Sequence, residues 1–503
     1  MYWLVSFLLL ELLLEGTLSG TSRGLTPGMR KLSSVWAAVL LCGVTVALCV
    51  VDWQIWIWSV PLVGYRLVNL ARIYRSRLPA PQLRTVSLRA FNWLLAAQIF
   101  ISGLAWLAGR YNFGMQVLNV VVGLQLLGAI ILLRATLHTW RHAGAPNDRT
   151  VTSADKDLPP VSVLIPARNE TDDLKRCLEQ LVASDYPKLE IVVYDDCSPG
   201  RRVSEIIRSF AHDGVRFIPG DVPDESRWLA KNYAYKRLSE EASGEILLFC
   251  GVDAIFETHS IRQLVFMMTQ RKKDLISVMP LRQAHPSGGS SVLQAMRYFW
   301  EMCLPRRFFK RPPVLSTCWL IRREALKRMG GFESVSRSVN PEAPLARKAV
   351  IADGYSFIRS DSAMGIYSNK HSDAQYNTSV RVRYPQLHRR LEFVVLIALF
   401  DLALLLGPFI GLLCLQFLPN GLAYALVWTV CLACILTTYG LVAGGARLAN
   451  PWVGWLIAPI AFAVDLVMLH ISLWKYEFST VSWKGRNVCI PVMRVESHLP
   501  PLE

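Results

Sequence analysis

Short apolar runs that stop abruptly in polar turns constrain this chain more than any other feature. Between Val161 and Ala254 the pieces VSVLIPARNE, IVVYDDCSPG, WLAKNYA and GEILLFCGVDA follow one another. VSVLI and IVVYD are β-branched and apolar at nearly every position, and helix-like segments separate them. Strands buried on both faces look like this, and their alternation with helices predicts a parallel sheet of βα units. In such sheets ligands bind beyond the carboxyl ends of the strands. The chemistry-bearing residues fall there: Pro166, Arg168 and Glu170 after the first run, Asp195 and Asp196 after the second, Asp253 after a later one.

Carboxylates at strand ends suit a nucleotide. One can accept hydrogen bonds from a ribose diol or a base imide, and another can hold a divalent cation against phosphates. Each Asp alone could equally cap the helix that follows it. The ordered set is harder to explain that way.

The order PARNE, YDDCSPG, WLAKNYA, FCGVDA resembles the nucleotide-sugar-binding half of family 2 inverting glycosyltransferases. STCWLIRREALKRMGGFE is similar to that family's acceptor-side segment, and EAPLARKAVIADGY to the stretch holding its catalytic base. SWKGR near the C-terminus is similar to a tail signature of membrane-bound members. The resemblance implies an α/β, Rossmann-like GT-A domain that binds a nucleotide-diphosphate sugar, with a UDP-sugar expected. It implies donor contacts from Pro166, Arg168, Glu170, Asp195, Asp196 and Lys231, and Mg²⁺ or Mn²⁺ held by Asp253.

Two departures from the family pattern stand out. Its Asp-x-Asp metal motif reads Gly251-Val252-Asp253 here, so one carboxylate is missing. Its Glu-Asp before LAR becomes Pro341-Glu342, which places Glu342 at the base position. A glutamate can do the same general-base work with one carbon more of reach. The stretch Gln386-Leu387-His388-Arg389-Arg390 is similar to a QxxRW signature, with Arg390 in place of Trp. Gln386, Arg389 and Arg390 are therefore expected on the acceptor or diphosphate side. The lost Trp counts against a polysaccharide-making enzyme.

Apolar residues, 52% of the 503, concentrate at the two ends and predict membrane spans around one globular domain. The expected divisions are an N-terminal transmembrane region over 1–143, a linker over 144–160 and the catalytic domain over 161–390. A second transmembrane region over 391–474 and a tail over 475–503 follow. Candidate spans lie near 35–64, 91–108, 115–133, 393–418, 422–443 and 452–474. The Arg66–Arg89 loop is basic, which by the positive-inside rule predicts a cytoplasmic face for it and for the domain. Three full C-terminal crossings would strand the basic tail outside, so a hairpin or re-entrant helix at Pro408 or Pro459 is expected to bring it back. The net charge of +16 suits an anionic bilayer surface and a diphosphate substrate. Nucleic acid is not expected as a partner, because the basic residues flank apolar runs without an aromatic platform. Cys431 and Cys434 form a CxxC inside an apolar run and read as small apolar residues rather than metal ligands.

The expected function is transfer of a sugar, with inversion, from a nucleotide-diphosphate sugar to a membrane lipid acceptor in a cell-membrane protein. A polysaccharide synthase and a non-catalytic nucleotide-binding membrane protein are the alternatives.

Overall fold

The apolar runs become the inner strands of a seven-stranded sheet. The structure, a computed structural model, describes residues 27–51, scattered residues between 63 and 74, 114–144, 155–224, 227–283, 288–304, 312–389, 391–448, 451–478 and 481–488. The expected span over 91–108, nearly all of the Arg66–Arg89 loop and Arg390 lie outside the described residues. In chain order come helices α1 (Pro27–Val51) and α2 (Gly114–Ala143), then β1 (Val161–Ala167), α3 (Asp172–Val182), β2 (Leu189–Asp195), α4 (Arg202–Ser209) and β3 (Val215–Pro219). Next are α5 (Ala230–Glu241), β4 (Ile246–Cys250), β5 (Ala254–Phe256), α6 (Ser260–Gln270), β6 (Leu275–Met279), β7 (Leu281–Arg282) and α7 (Gly288–Cys303). β8 (Cys318–Arg322), α8 (Arg323–Arg328), α9 (Glu342–Ile351), β9 (Tyr355–Arg359), β10 (Ile366–Ser368) and α10 (Ser372–Arg383) complete the domain. Helices α11 (Leu391–Phe400), α12 (Gly407–Leu413), α13 (Gly421–Gly445) and α14 (Pro451–Phe478) follow, then a hairpin of β11 (Ser482–Trp483) and β12 (Arg486–Asn487).

The sheet order is β3-β2-β1-β4-β8-β6-β9. β1 pairs in parallel with β2 and β4, and its end residue Ala167 lies opposite Asp195. β8 runs antiparallel between β4 and β6. Alternate residues of β1 feed opposite cores: Val161, Val163 and Ile165 meet α3 and α6, whereas Leu164 joins α5, α8 and α9. Both faces are thus covered, as the unbroken apolar runs require. Helix α3 illustrates the local logic. Leu174, Cys177, Leu178 and Leu181 recur at helical spacing and are buried, while Asp172 and Asp173 in its first turn favour the positive helix end.

A small second sheet, β5-β10-β7, sits at the site end. β5 and β10 are antiparallel, and the Asn369 N–H donates to the Asp253 carbonyl at 2.9 Å. This pairing brings residues 369–371 beside the later strand's acidic turn.

Among the described residues four helices are long and apolar enough to cross a membrane, over 115–143, 393–413, 421–445 and 452–477. Leu124, Leu413, Leu422, Leu426 and Leu456 point outward from them. Pro408 does not make a hairpin. The helix continues through a π-helical turn at Asp401–Leu406, and the amide of Gln125 donates to the Ala403 carbonyl at 2.7 Å. That donation satisfies a backbone acceptor which lipid could not. Pro459 also lies inside a continuous helix, α14. α14 runs along the domain: Trp300 donates to Asp465 at 2.8 Å, the Tyr384 N–H to Ser472 at 3.0 Å, and Tyr476 to the Arg381 carbonyl at 2.7 Å. The tail therefore returns to the catalytic domain without a helix break. Helix α7, with Phe299 and Met302 buried, fills the layer between the domain and helices α13 and α14.

Gly220 is the turn after β3, packed under the carboxyl end of β2. A Cβ there would come 2.1 Å from the Asp195 carbonyl oxygen. Gly220→Ala should destabilise the protein by about 1–3 kcal/mol, the usual cost of overpacking. Thermal melting of the purified protein in detergent checks this.

Candidate active site

The site is a cavity of about 540 Å³ at the carboxyl ends of β1 and β4. Its walls include Pro166 and Glu170 from the first loop, Asp253 from the turn after β4, and Lys231 from the first turn of α5. Lys370 and Arg381 close the far side, and Lys484 and Gly485 reach in from the tail. Of the residues expected from sequence, the structure gathers Pro166, Glu170, Lys231 and Asp253 on one surface.

Asp195 and Asp196 divide the work between structure and site. The Asp195 carboxylate accepts from the Ser198 N–H at 3.1 Å and from its hydroxyl, so it shapes the loop. Asp196 is 1% exposed, and neither carboxylate oxygen has a well-formed hydrogen bond. Burial pushes its carboxyl up to about 6, against the pull of Arg486 and Arg168. Arg168 points away from the cavity. Its guanidinium donates to the Asp196 carbonyl, and its Nε to the Lys484 carbonyl at 2.9 Å.

Glu342 opens α9 and is 2% exposed. Its Oε2 lies 3.9 Å from the Lys231 Nζ and makes no hydrogen bond. It is not part of the cavity wall, although Lys231 is. Burial pushes the Lys231 ammonium down, with Glu342 opposing. Lys370 has a similar balance: burial lowers it to about 7, and Asp253 is the first group to oppose the shift.

Two of the residues expected on the acceptor side stand apart from this cavity. Gln386 and Arg389 are not on the cavity wall. Arg389 has a left-handed backbone (φ +52°), lies 3.8 Å from Glu477 of α14 and receives a hydrogen bond from Tyr384 on its carbonyl. Here it ties the domain to the membrane helices. Lys370 and Arg381 are cations on the cavity wall that sequence reasoning missed. Lys370 follows a strand of only three residues, too short to show a period.

Glu170, Asp173 and Asp253 put three carboxylates on the cavity wall, and Asp253 is the one at the expected metal position. Among the described residues no three His, Cys, Asp or Glu side chains form a ligand cluster. The Asp253 carboxylate folds back over Gly251, where a Cβ would lie 2.4 Å from its Oδ1. One carboxylate fits a Mg²⁺ or Mn²⁺ ion that takes its other ligands from phosphate and water.

Residues 162–330 match the family described as glycosyl transferase family 2. A probable glycosyltransferase, YdaM, from Bacillus subtilis strain 168 is 26% identical over 196 residues, 37% of this chain and 46% of its own. The glycosyltransferase AglE from Haloferax volcanii is 28% identical over 181 residues, 35% of this chain and 56% of its own. The chain thus spans about half the length of these curated relatives. A solved mannosyltransferase from Pyrobaculum calidifontis, in complex with GDP-Man and Mn²⁺, is 18% identical, with 70% of this chain and 98% of that one covered at a TM-score of 0.42. With its βα sheet and strand-end carboxylates, the segment 162–330 is a glycosyl transferase family 2 domain on a GT-A-like fold.

Proposed function

We propose that this protein is a membrane-bound glycosyltransferase that moves a sugar from a nucleoside-diphosphate sugar, a UDP-sugar first, to a membrane lipid with inversion. The observation that carries this reading is the cavity itself, which gathers the carboxylates Glu170 and Asp253 with the cations Lys231, Lys370 and Arg381. Glu170 and Asp196 would take the ribose hydroxyls and the base edge. Pro166 would lie along the base. Lys231, Lys370 and Arg381 would meet the diphosphate, whose charge grows as the glycosidic bond breaks. Asp253 would hold Mg²⁺ or Mn²⁺ against the same phosphates, and the ion would supply further charge to the leaving group. Helices α2, α13 and α14, close to the domain, would present a lipid acceptor, and the domain would face the cytoplasm where nucleotide sugars are made.

Glu342 would be the base that takes the acceptor hydroxyl's proton. It is a buried carboxylate whose Oε2 lies 3.9 Å from the Lys231 ammonium and has no hydrogen-bond partner. When Lys231 turns to the donor phosphates, that oxygen becomes available to an incoming hydroxyl.

The test of the reading is product formation. The protein in lipid nanodiscs is given radiolabelled UDP-sugars and a membrane lipid extract, and the organic phase is chromatographed. A labelled lipid supports the reading, and a ladder of polymer supports a synthase instead. Glu342→Gln should lower turnover by about 100-fold and leave donor affinity in calorimetry near wild type. Weaker donor binding at unchanged turnover would make Glu342 only a counter-ion for Lys231.

Asp253→Asn should raise the Mn²⁺ concentration for half-maximal activity by at least about tenfold. Equal activity of this variant and wild type in excess chelator would remove the ion from Asp253. The pH dependence of nucleoside-diphosphate binding should be bell-shaped. Affinity should rise as pH passes about 6, where Asp196 ionises and becomes an acceptor, and fall above about 7, where Lys370 loses its charge. Calorimetry with UDP from pH 5 to 9 reads both limbs.

A further inference from the structure

The two carboxylates assigned above to the ribose and base are already engaged by the tail. The Lys484 ammonium pairs with Glu170, and the Arg486 guanidinium lies 2.9 Å from Asp196. Arg168 adds a hydrogen bond to the Lys484 carbonyl. The cavity reaches Glu170 but not Asp196, whose side chain is covered by Arg486 and Arg168, themselves 12% and 14% exposed. A base cannot lie on Asp196 while Arg486 stays there.

The tail is built to hold this position and to leave it as a unit. β11 and β12 pair through a two-residue turn with both φ positive, Lys484 at +50° and Gly485 at +81°. This is the turn that matches the twist of paired strands. A lysine pays for a left-handed backbone, so its place at the tip calls for a reason beyond the turn. Below the tip, Val481 and Val488 close the hairpin with a 2.8 Å backbone bond and pack with Val380 of α10 and Leu473 of α14. Apolar contacts anchor the base, and ion pairs with the Arg168 hydrogen bond hold the cationic edge.

We propose that the 482–487 hairpin is part of the donor site: Lys484 and Arg486 neutralise Glu170 and Asp196 before the donor arrives, and move onto its diphosphate when ribose and base replace them. The proposal rests on the glycosyltransferase reading. Its logic is an exchange of partners in a low-dielectric site. Two buried carboxylates without cations would repel each other and lose solvation, whereas a nucleoside supplies neutral hydrogen-bond donors to them. The released cations then find the only new anion, the phosphates, beside Lys231 and Lys370. A sugar nucleotide meets both halves of the exchange, whereas a nucleoside lacking phosphates meets one.

That difference is the experiment. The full-length protein in nanodiscs is titrated by calorimetry with UDP and uridine, and with GDP and guanosine. In wild type the diphosphate should bind far more tightly than its nucleoside. The double variant Lys484→Met, Arg486→Met should bind the nucleoside as well as or better than wild type. It should bind the diphosphate more weakly, so that the ratio of the two affinities falls by about tenfold or more. The charge-preserving pair Lys484→Arg, Arg486→Lys should keep the wild-type ratio, and its melting temperature controls for folding. A double variant with the wild-type ratio overturns the hairpin's role, and so does a parallel loss of both ligands. A wild type that binds neither diphosphate overturns the glycosyltransferase reading itself, and the hairpin's role with it.

Discussion

Three carboxylates at this end of the sheet, Glu170, Asp196 and Glu342, are buried or nearly so and each has a cation beside it, and the arrangement of elements follows from that need. Glu342 has Lys231, Glu170 has Lys484, and Asp196 has Arg486 and Arg168. A buried charge stripped of its partner costs about 3–5 kcal/mol, so these pairings are constraints on the fold as much as on the chemistry. The cations come from three separated stretches: the start of α5, the loop after β1 and the tail. The fold must bring all three to one end of the sheet.

The sheet does this through register. Ala167 opposite Asp195 places the loops after β1 and β2 side by side, and the short β5–β10 pairing adds Lys370 next to Asp253. The result is a cavity in which acidic and basic groups are interleaved, Lys484 on Glu170 and Lys370 beside Asp253, with Lys231 and Arg381 supplied by helices α5 and α10.

The membrane helices are coupled to this site by polar contacts rather than by proximity alone. Asp465 of α14 takes Trp300 and Arg383 of the domain, Glu477 takes Arg389, and five residues later the chain enters the hairpin that reaches Glu170. In an apolar helix such groups are retained only where a partner satisfies them. One helix thus packs on the apolar helix α13 near its start and leads into the hairpin at the cavity beyond its end.

Much of this was legible in the sequence, and the limit falls at a clear physical line. Residues 161–167 and 189–195 announce buried parallel strands because their burial on both faces leaves no polar position to hide, and the loop carboxylates follow from where strands end. The apolar stretches over 393–413 and 421–445 are legible for the same reason, since composition alone carries the signal. By contrast, Lys370 and Arg381 are unremarkable lysine and arginine positions until β10 and α10 carry them to the cavity. The pairings of Arg168 with residue 484, and of Asp196 with Arg486, join positions roughly three hundred residues apart. Asp195 turned out to serve its own loop, and Arg389 to tie the domain to α14, although each matched a motif. Local sequence determines which segments form strands and helices, because periodicity and side-chain shape act over a few residues. Which cation neutralises which buried carboxylate was decided only by tertiary structure, because Coulomb energy depends on distance in space and not along the chain.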